Sequence, residues 1–282
     1  LQTCTEHRLT NDPTRTQSQP TLWQGSVVYS NGLDESNNDA LTRYDISAGT
    51  SENLLFATGI SNLGATSDNA VYAAKPVGQP SALQDFYWLH IPSGRTTLLQ
   101  LTSDGAASGG DISETHYIWP SLVANEHRGI WIVSFATGDI TKLEGTGRGT
   151  YPTTWGDWAV WEDWRTDQPD IWGMRMGAGE IVHITPNGAY NGFPRLRGHL
   201  LCFRTTQWSG MQGYDIALMD LDTWAVRRIT TTPHPGYECG HADSGWLVYR
   251  KQVGSWHYDK LYAVNLVATG VLDASGHIIP AP

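Results

Sequence analysis

The stretch Trp158-Ala-Val-Trp-Glu-Asp-Trp-Arg165, continued by Asp170-Ile-Trp172 and closed by His183-Ile-Thr-Pro186, decides the fold of this chain. Its first run is short, apolar and ends in an aromatic residue, and its second alternates around Trp172 with the period of two that marks a strand. The same arrangement recurs along the sequence. Runs of the first kind are Ser26-Val-Val-Tyr29, Asn69-Ala-Val-Tyr72, His116-Tyr-Ile-Trp119, Trp158-Ala-Val-Trp161, Leu200-Leu-Cys-Phe203 and Trp246-Leu-Val-Tyr249, with final aromatics 43, 47, 42, 42 and 46 residues apart. Runs of the second kind begin at Ala40, Asp85, Gly129, Asp170, Asp215 and Lys260, spaced 45, 44, 41, 45 and 45 and so in phase with the first. Leu143, Ile184-Thr185 and Ile229-Thr230 form a third column, and Pro20, Pro152 and Pro194, each nine residues before an aromatic, mark a fourth.

Four strands in each ~45 residues make a propeller blade. The expectation is an all-β fold: a six-bladed β-propeller of four-stranded antiparallel blades in a single domain spanning 1–282. The blades are expected at roughly 16–57, 58–104, 105–149, 150–189, 190–236 and 237–282. Glu6-His-Arg-Leu-Thr-Asn-Asp-Pro13 repeats Val226-Arg-Arg-Ile-Thr-Thr-Thr-Pro233. Residues 5–10 are therefore expected to supply the missing outer strand of the last blade, which removes an exposed sheet edge.

Trp161-Glu-Asp-Trp-Arg, then Asp170-Ile-Trp, then His183-Ile-Thr-Pro resembles the blade repeat of TolB-type six-bladed propellers and related bacterial and archaeal surface proteins. The resemblance covers about residues 5–266 and implies architecture more than activity, because that family includes protein-binding subunits, polysaccharide-active enzymes and peptidase-associated propellers. The strand-opening Asp of the pattern is missing at Ala40, Gly129 and Lys260.

Composition agrees. Charged residues are 16% of 282, against 30 Gly, 14 Pro and 13 Trp, which suits turn-rich β structure. A net charge of −10 with no basic run argues against a nucleic-acid partner, whose affinity comes from Lys and Arg displacing counterions. No apolar run approaches the ~20 residues of a membrane-spanning helix.

Cys202 occupies a column otherwise held by valine and isoleucine and reads as a small core hydrophobe. Cys4 and Cys239 remain a possible pair, but the topology places them near opposite faces of the last blade, and Leu1-Gln-Thr-Cys4 loosely matches a lipidation box. The sequence leaves open whether Cys4 is bonded, lipidated or free. The repeated Asp85, Asp170 and Asp215 read as carboxylates bonding local N–H groups, because their spacing spreads them over different blades. No cofactor is expected; calcium at Asp34-Glu-Ser-Asn-Asn-Asp39 is possible but not indicated, since that loop lacks the glycine and final Glu of an EF-hand.

Trp119, Trp131, Trp161 and Trp172 fall on the repeat columns and are expected in the core. Trp164, Trp208 and Trp256 instead lie in loops between second and third strands, on the same face as the inter-blade connections that carry Arg148, Tyr151, Tyr190, Phe193, His234, Tyr237, Glu238 and His241. The candidate ligand-binding set is Trp164, Trp208, Trp256, Tyr151, Phe193, Arg204, Arg250 and His257, since aromatic planes beside hydrogen-bonding groups suit pyranose rings. Candidate catalytic residues are Tyr237, His241, Glu162 and Glu238.

No Gly-x-Ser-x-Gly, His-Glu-x-x-His or phosphate loop is present. The first functional expectation is therefore a secreted, periplasmic or surface-anchored monomeric module that binds a saccharide or a protein segment. The alternative is a polysaccharide lyase or glycoside hydrolase using the same face, with Tyr237 or His241 beside Arg204 or Arg250 for the former and Glu162 with Glu238 for the latter. A structural domain of a larger surface protein is the third reading.

Overall fold

A computed structural model of the chain describes residues 10, 17–33, 38–75, 84–100, 109–121, 129–210, 213–234, 237–253 and 258–280. Trp256, His257, Cys4, most of the acidic loop 34–39 and residues 5–9 of the expected closing strand lie outside them. The described residues are almost entirely β, with one helical turn at Ile91–Ser93.

The strands in chain order are β1 (Gln17–Trp23), β2 (Ser26–Leu33), β3 (Asn38–Asp45), β4 (Thr50–Ala65), β5 (Asn69–Lys75), β6 (Asp85–His90) and β7 (Arg95–Gln100). They continue as β8 (Asp111–Ile112), β9 (His116–Ser121), β10 (Gly129–Ser134) and β11 (Ile140–Leu143), then β12 (Gly149–Trp155), β13 (Trp158–Asp163), β14 (Asp170–Arg175) and β15 (Ile181–His183). The last are β16 (Asn191–Arg197), β17 (Leu200–Thr205), β18 (Asp215–Asp220), β19 (Val226–Arg228), β20 (Tyr237–Asp243), β21 (Trp246–Val253) and β22 (Tyr258–Asn265). Sequential antiparallel sheets form from β8–β11, β12–β15, β16–β19 and β20–β22. The first seven strands make one sheet, because β4 runs on without a turn, pairing with β3 along one part and β5 along the other. The chain divides into two compact units, one of Leu1–Tyr117, Ser121–His127 and Val133–Ile140, the other of Ile118–Pro120, Arg128–Ile132 and Thr141–Pro282.

Short turns set the register. Ser244-Gly245 joins β20 to β21 with φ of 50° and 76°, the twin positive values of a type I′ hairpin turn. The prolines of the fourth column sit inside strands that cannot spare a ladder N–H, and each falls where the ladder skips: Pro20 between Ser18 and Thr21, Pro152 between Thr150 and Thr153, Pro194 between Gly192 and Arg195. A β-bulge leaves its extra residues out of the pairing, so proline is tolerated there.

The aromatic column is the core. Tyr29, Tyr72, Trp119, Trp161 and Phe203 are buried, and Tyr249 is half-buried. Trp131 and Trp172 are only half-buried, because they stand on third strands nearer the outer edge of their sheets. In the second unit, Trp161 packs among Ile118, Ile130, Ala159 and Met174, and Phe203 among Val160, Ile171 and Leu196.

Asp170 and Asp215 each accept the hydroxyl of a threonine just past the outer strand of their own blade. The Asp170 carboxylate accepts the Ile171 N–H at 3.0 Å, the Asn191 amide at 2.9 Å and the Thr185 hydroxyl, while Thr185 Oγ1 itself accepts the Ile171 N–H at 3.0 Å. Asp215 with Thr230 repeats the bracket one blade on, Thr230 Oγ1 accepting the Ile216 N–H at 2.9 Å. Where Gly129 replaces the Asp, Thr146 Oγ1 still accepts the Ile130 N–H, at 2.9 Å. The threonine thus ties the end of the outer strand to the start of the third.

The cysteine reading needs correction. Cys202 is bonded to Cys239, with Cα atoms 5.9 Å apart. The side chain of Cys202 leaves the face of its sheet toward β20 of the next blade, whose Tyr237 and Ala242 share its core cluster. Packing between neighbouring blades, rather than position within one blade, therefore decides the partner of Cys239.

Candidate functional site

The bulges in β12 and β16 have a second effect. Tyr151 and Phe193, each just before the bulge proline, take φ of 47° and 55°, in the left-handed region that side chains other than glycine rarely adopt. Strain of this kind costs about 1–3 kcal/mol per residue and persists only where neighbours enforce it. Here it brings the two rings face to face, with centroids 4.1 Å apart.

Glu162 enforces the Phe193 geometry. Its Oε2 accepts the Phe193 main-chain N–H at 3.0 Å, and its Oε1 accepts the Trp164 indole N–H at 2.8 Å. The residue is 1% exposed. Burial pushes its carboxyl above the usual carboxylate range, against the pull of those hydrogen bonds and of Arg204. Glycine at 192 leaves room for the carboxylate, since a Cβ there would stand 2.3 Å from Glu162 Oε2 and displace it from the Phe193 N–H.

Arg204 completes the cluster. It sits across the ladder from Gly192, at the same strand position as Glu162 in β13 and Arg250 in β21. Its guanidinium carbon lies 3.7 Å from the Phe193 ring centre and 4.4 Å from that of Tyr214, and its Nη2 donates to the Tyr190 hydroxyl at 2.7 Å. Its Nε–H is buried without an acceptor among the described residues. Tyr190 and Tyr214 rings meet at 4.9 Å, and burial pushes the Tyr190 hydroxyl up to about 12. The result is a planar cation held between aromatic faces, beside a phenol that stays protonated at neutral pH.

Of the residues singled out in the sequence, the structure brings together Tyr151, Phe193, Trp164, Arg204 and Glu162. Trp164 is 44% and Tyr151 43% exposed, so the cluster reaches the surface. Trp208 lies elsewhere, 5.9 Å from the guanidinium of Arg228 on the outer strand of its blade. Glu238 and Arg250 form an ion pair with each other. Tyr237 is buried, its ring against Tyr249, and burial holds its hydroxyl above the ordinary value. His241 is exposed on β20. Tyr214 was missed: it immediately precedes the strand-opening Asp215, and only its pairing with His234 turns it toward Arg204.

No family model matches the sequence, and no curated protein matches it. Solved structures do. The chain is similar to a prolyl endopeptidase (15% identity, TM-score 0.65, covering 90% of this chain and 42% of that one). It is similar to an oligogalacturonate lyase in complex with manganese (12% identity, TM-score 0.58, 86% and 71%) and to a putative TolB from Agrobacterium tumefaciens (18% identity, TM-score 0.52, 78% and 82%). The chain thus spans about two fifths of the endopeptidase's length. These likenesses identify the fold as a TolB-like β-propeller.

They also correct the first functional expectation. A non-catalytic module that binds a saccharide or protein segment is displaced by neighbours that include a peptidase and a lyase, which favour the enzymatic alternative. The manganese of that lyase finds no ligand set in the Glu162–Arg204 cluster, which among the described residues contains no three His, Cys, Asp or Glu side chains at metal-binding spacing.

Proposed function

We propose that the protein is an enzyme of the polysaccharide-lyase type, which cleaves a uronate-containing chain by β-elimination on the Tyr151–Phe193–Arg204 face. The observation that carries this reading is Arg204, a half-buried guanidinium held against the Phe193 and Tyr214 rings beside the exposed Tyr151 and Trp164. A planar cation in that setting suits a sugar carboxylate, and its charge stabilises the carbanion-like state that forms when the C5 proton leaves. Stacked Tyr151 and Phe193, with Trp164 beside them, offer the apolar plane a pyranose ring needs.

In this reaction a base removes the C5 proton, the C4–O bond breaks, and a C4=C5 double bond forms. Tyr190, held protonated and bonded to Arg204, supplies the proton to the departing O4. Tyr237, named from sequence as a base, is buried and protonated and is not given that role. Hydrolysis by paired carboxylates fits less well, since both oxygens of Glu162 are engaged and Glu238 is bound to Arg250. The likeness to the endopeptidase covers 42% of that chain, and no residue cluster described above resembles a peptidase nucleophile site. The Cys202–Cys239 bridge favours an oxidising compartment, hence a secreted or periplasmic location.

The test is incubation with oligogalacturonate and other uronate polymers while following near-ultraviolet absorbance of the unsaturated product. Absorbance that appears with the wild type and is lost in Arg204→Ala at unchanged thermal stability supports the reading. New reducing ends without absorbance, or no turnover on any uronate polymer, would overturn it.

A further inference from the structure

At the end of blade five opposite Arg204, three chain segments converge on one carboxylate oxygen. His199 lies in the β16–β17 turn, Asp220 ends β18, and His277 belongs to the segment that follows β22. Asp220 Oδ2 accepts His277 Nδ1 at 2.9 Å and lies 4.0 Å from His199 Nε2, and the three ligand atoms are within 4.8 Å of one another. The Gly276 carbonyl oxygen adds a fourth donor, 3.1 Å from His199 Nε2.

We propose that His199, Asp220 and His277 form a zinc site that fastens the C-terminal segment to blade five. Zinc takes imidazole nitrogens and carboxylate oxygens at about 2.0–2.2 Å in a tetrahedron, which needs ligand atoms about 3.3 Å apart. The Asp220–His277 pair is already near that spacing, and His199 closes the remainder by rotating its ring inward. Two nitrogens with two oxygens suit zinc better than calcium or magnesium, which prefer all-oxygen shells.

The surroundings hold the ligands in place. Asp220 is fully buried, and its other oxygen accepts the Asp222 and Thr223 N–H groups at 2.9 and 3.2 Å, which fixes the carboxylate plane. His277 is set by a turn in which Asp273 Oδ1 accepts the Ser275 and His277 N–H groups at 2.9 and 3.0 Å. Leu272 and Ile278 on either side of that turn are buried with Leu200 and Leu218. The turn therefore presents His277 without relying on the metal. A single histidine would serve Asp220 as a hydrogen-bond donor; the second, from another segment and partly solvent-accessible, points to an ion shared among all three.

The experiment uses the untagged full chain, stripped of metal and titrated with zinc chloride by calorimetry, with cobalt(II) as a spectroscopic substitute. One equivalent is expected to bind, to raise the thermal midpoint and to give the d–d absorption of a tetrahedral cobalt site. His199→Ala and His277→Ala are each expected to weaken binding by at least the roughly 10–100-fold that loss of a mere outer-shell partner costs, while remaining folded, and to abolish the thermal shift. His183→Ala, which alters a histidine–aspartate pair on another blade, is expected to bind zinc as the wild type does. No stoichiometric binding by the wild type, or wild-type affinity in either His199→Ala or His277→Ala, would overturn the proposal.

Discussion

The Glu162 carboxylate, buried at the end of one blade, accepts the main-chain N–H of Phe193 in the next, at 3.0 Å. That bond spans a residue whose own φ is 55°, so the acid holds in place the ring on which Arg204 rests. Replacing Glu162 with Ala leaves the Phe193 N–H without its acceptor, while the indole of the exposed Trp164 can turn to water. One orphaned donor costs about 1–3 kcal/mol, and a loss of that size is expected in chemical denaturation.

The same acid gives a pH signature. Burial places its folded pKa above the ordinary value, so the native state holds the proton more tightly than the unfolded chain. That contribution is complete below the unfolded carboxylate pKa, about 4.3, and is lost as pH rises through the folded value. Stability of the wild type relative to Glu162→Gln is expected to fall across that window, as read by denaturation at a series of pH values.

Arg204 is expected to be intolerant even of a conservative change. Lysine keeps the charge but loses the planar group that lies between Phe193 and Tyr214. Arg204→Lys is expected to lower kcat/KM on a uronate substrate by about 100-fold or more, the scale of losing one charge-stabilising group, with a small change in thermal midpoint.

Reducing the Cys202–Cys239 bridge releases a loop of 37 residues. Chain-entropy arguments put its worth at about 4 kcal/mol. Cys239→Ala, or treatment of the wild type with dithiothreitol, is expected to lower the thermal midpoint, measured by circular dichroism.

Trp161 is fully buried, and its indole N–H donates to Asp163 Oδ2 at 2.9 Å. Trp161→Ala is expected to destabilise by about 3–5 kcal/mol, and Trp161→Phe by less because most of the volume is kept. Equilibrium unfolding in urea separates the two.

The sequence made the blades legible because repetition averages out local ambiguity: one Pro152 is uninformative, whereas Pro20, Pro152 and Pro194 at a fixed distance from an aromatic mark a recurring bulge. Arg204 and Glu162 stood out for a related reason, sharing a repeat position immediately after the aromatic column. What escaped was contact between repeats. Cys202 looked like a valine because within its own blade it replaces one, and the partner that makes it a half-cystine lies in the next blade. Tyr214 escaped similarly, its ring reaching Arg204 only through the isolated pairing with His234. His199, Asp220 and His277 come from two turns and a strand end, and their convergence depends on where the C-terminal segment folds back.

Strand β4 carries a separate consequence. Sixteen residues long, it is the last strand of one meander and the first of the next. Between β15 and β16 a connection without strand structure lets the sheet on either side open by itself. Here neither meander can shed its shared edge without stripping hydrogen bonds from the other, so strands β1–β7 are expected to exchange their protected amides as one cooperative block, while the sheets of β12–β15 and β16–β19 retain separate opening energies.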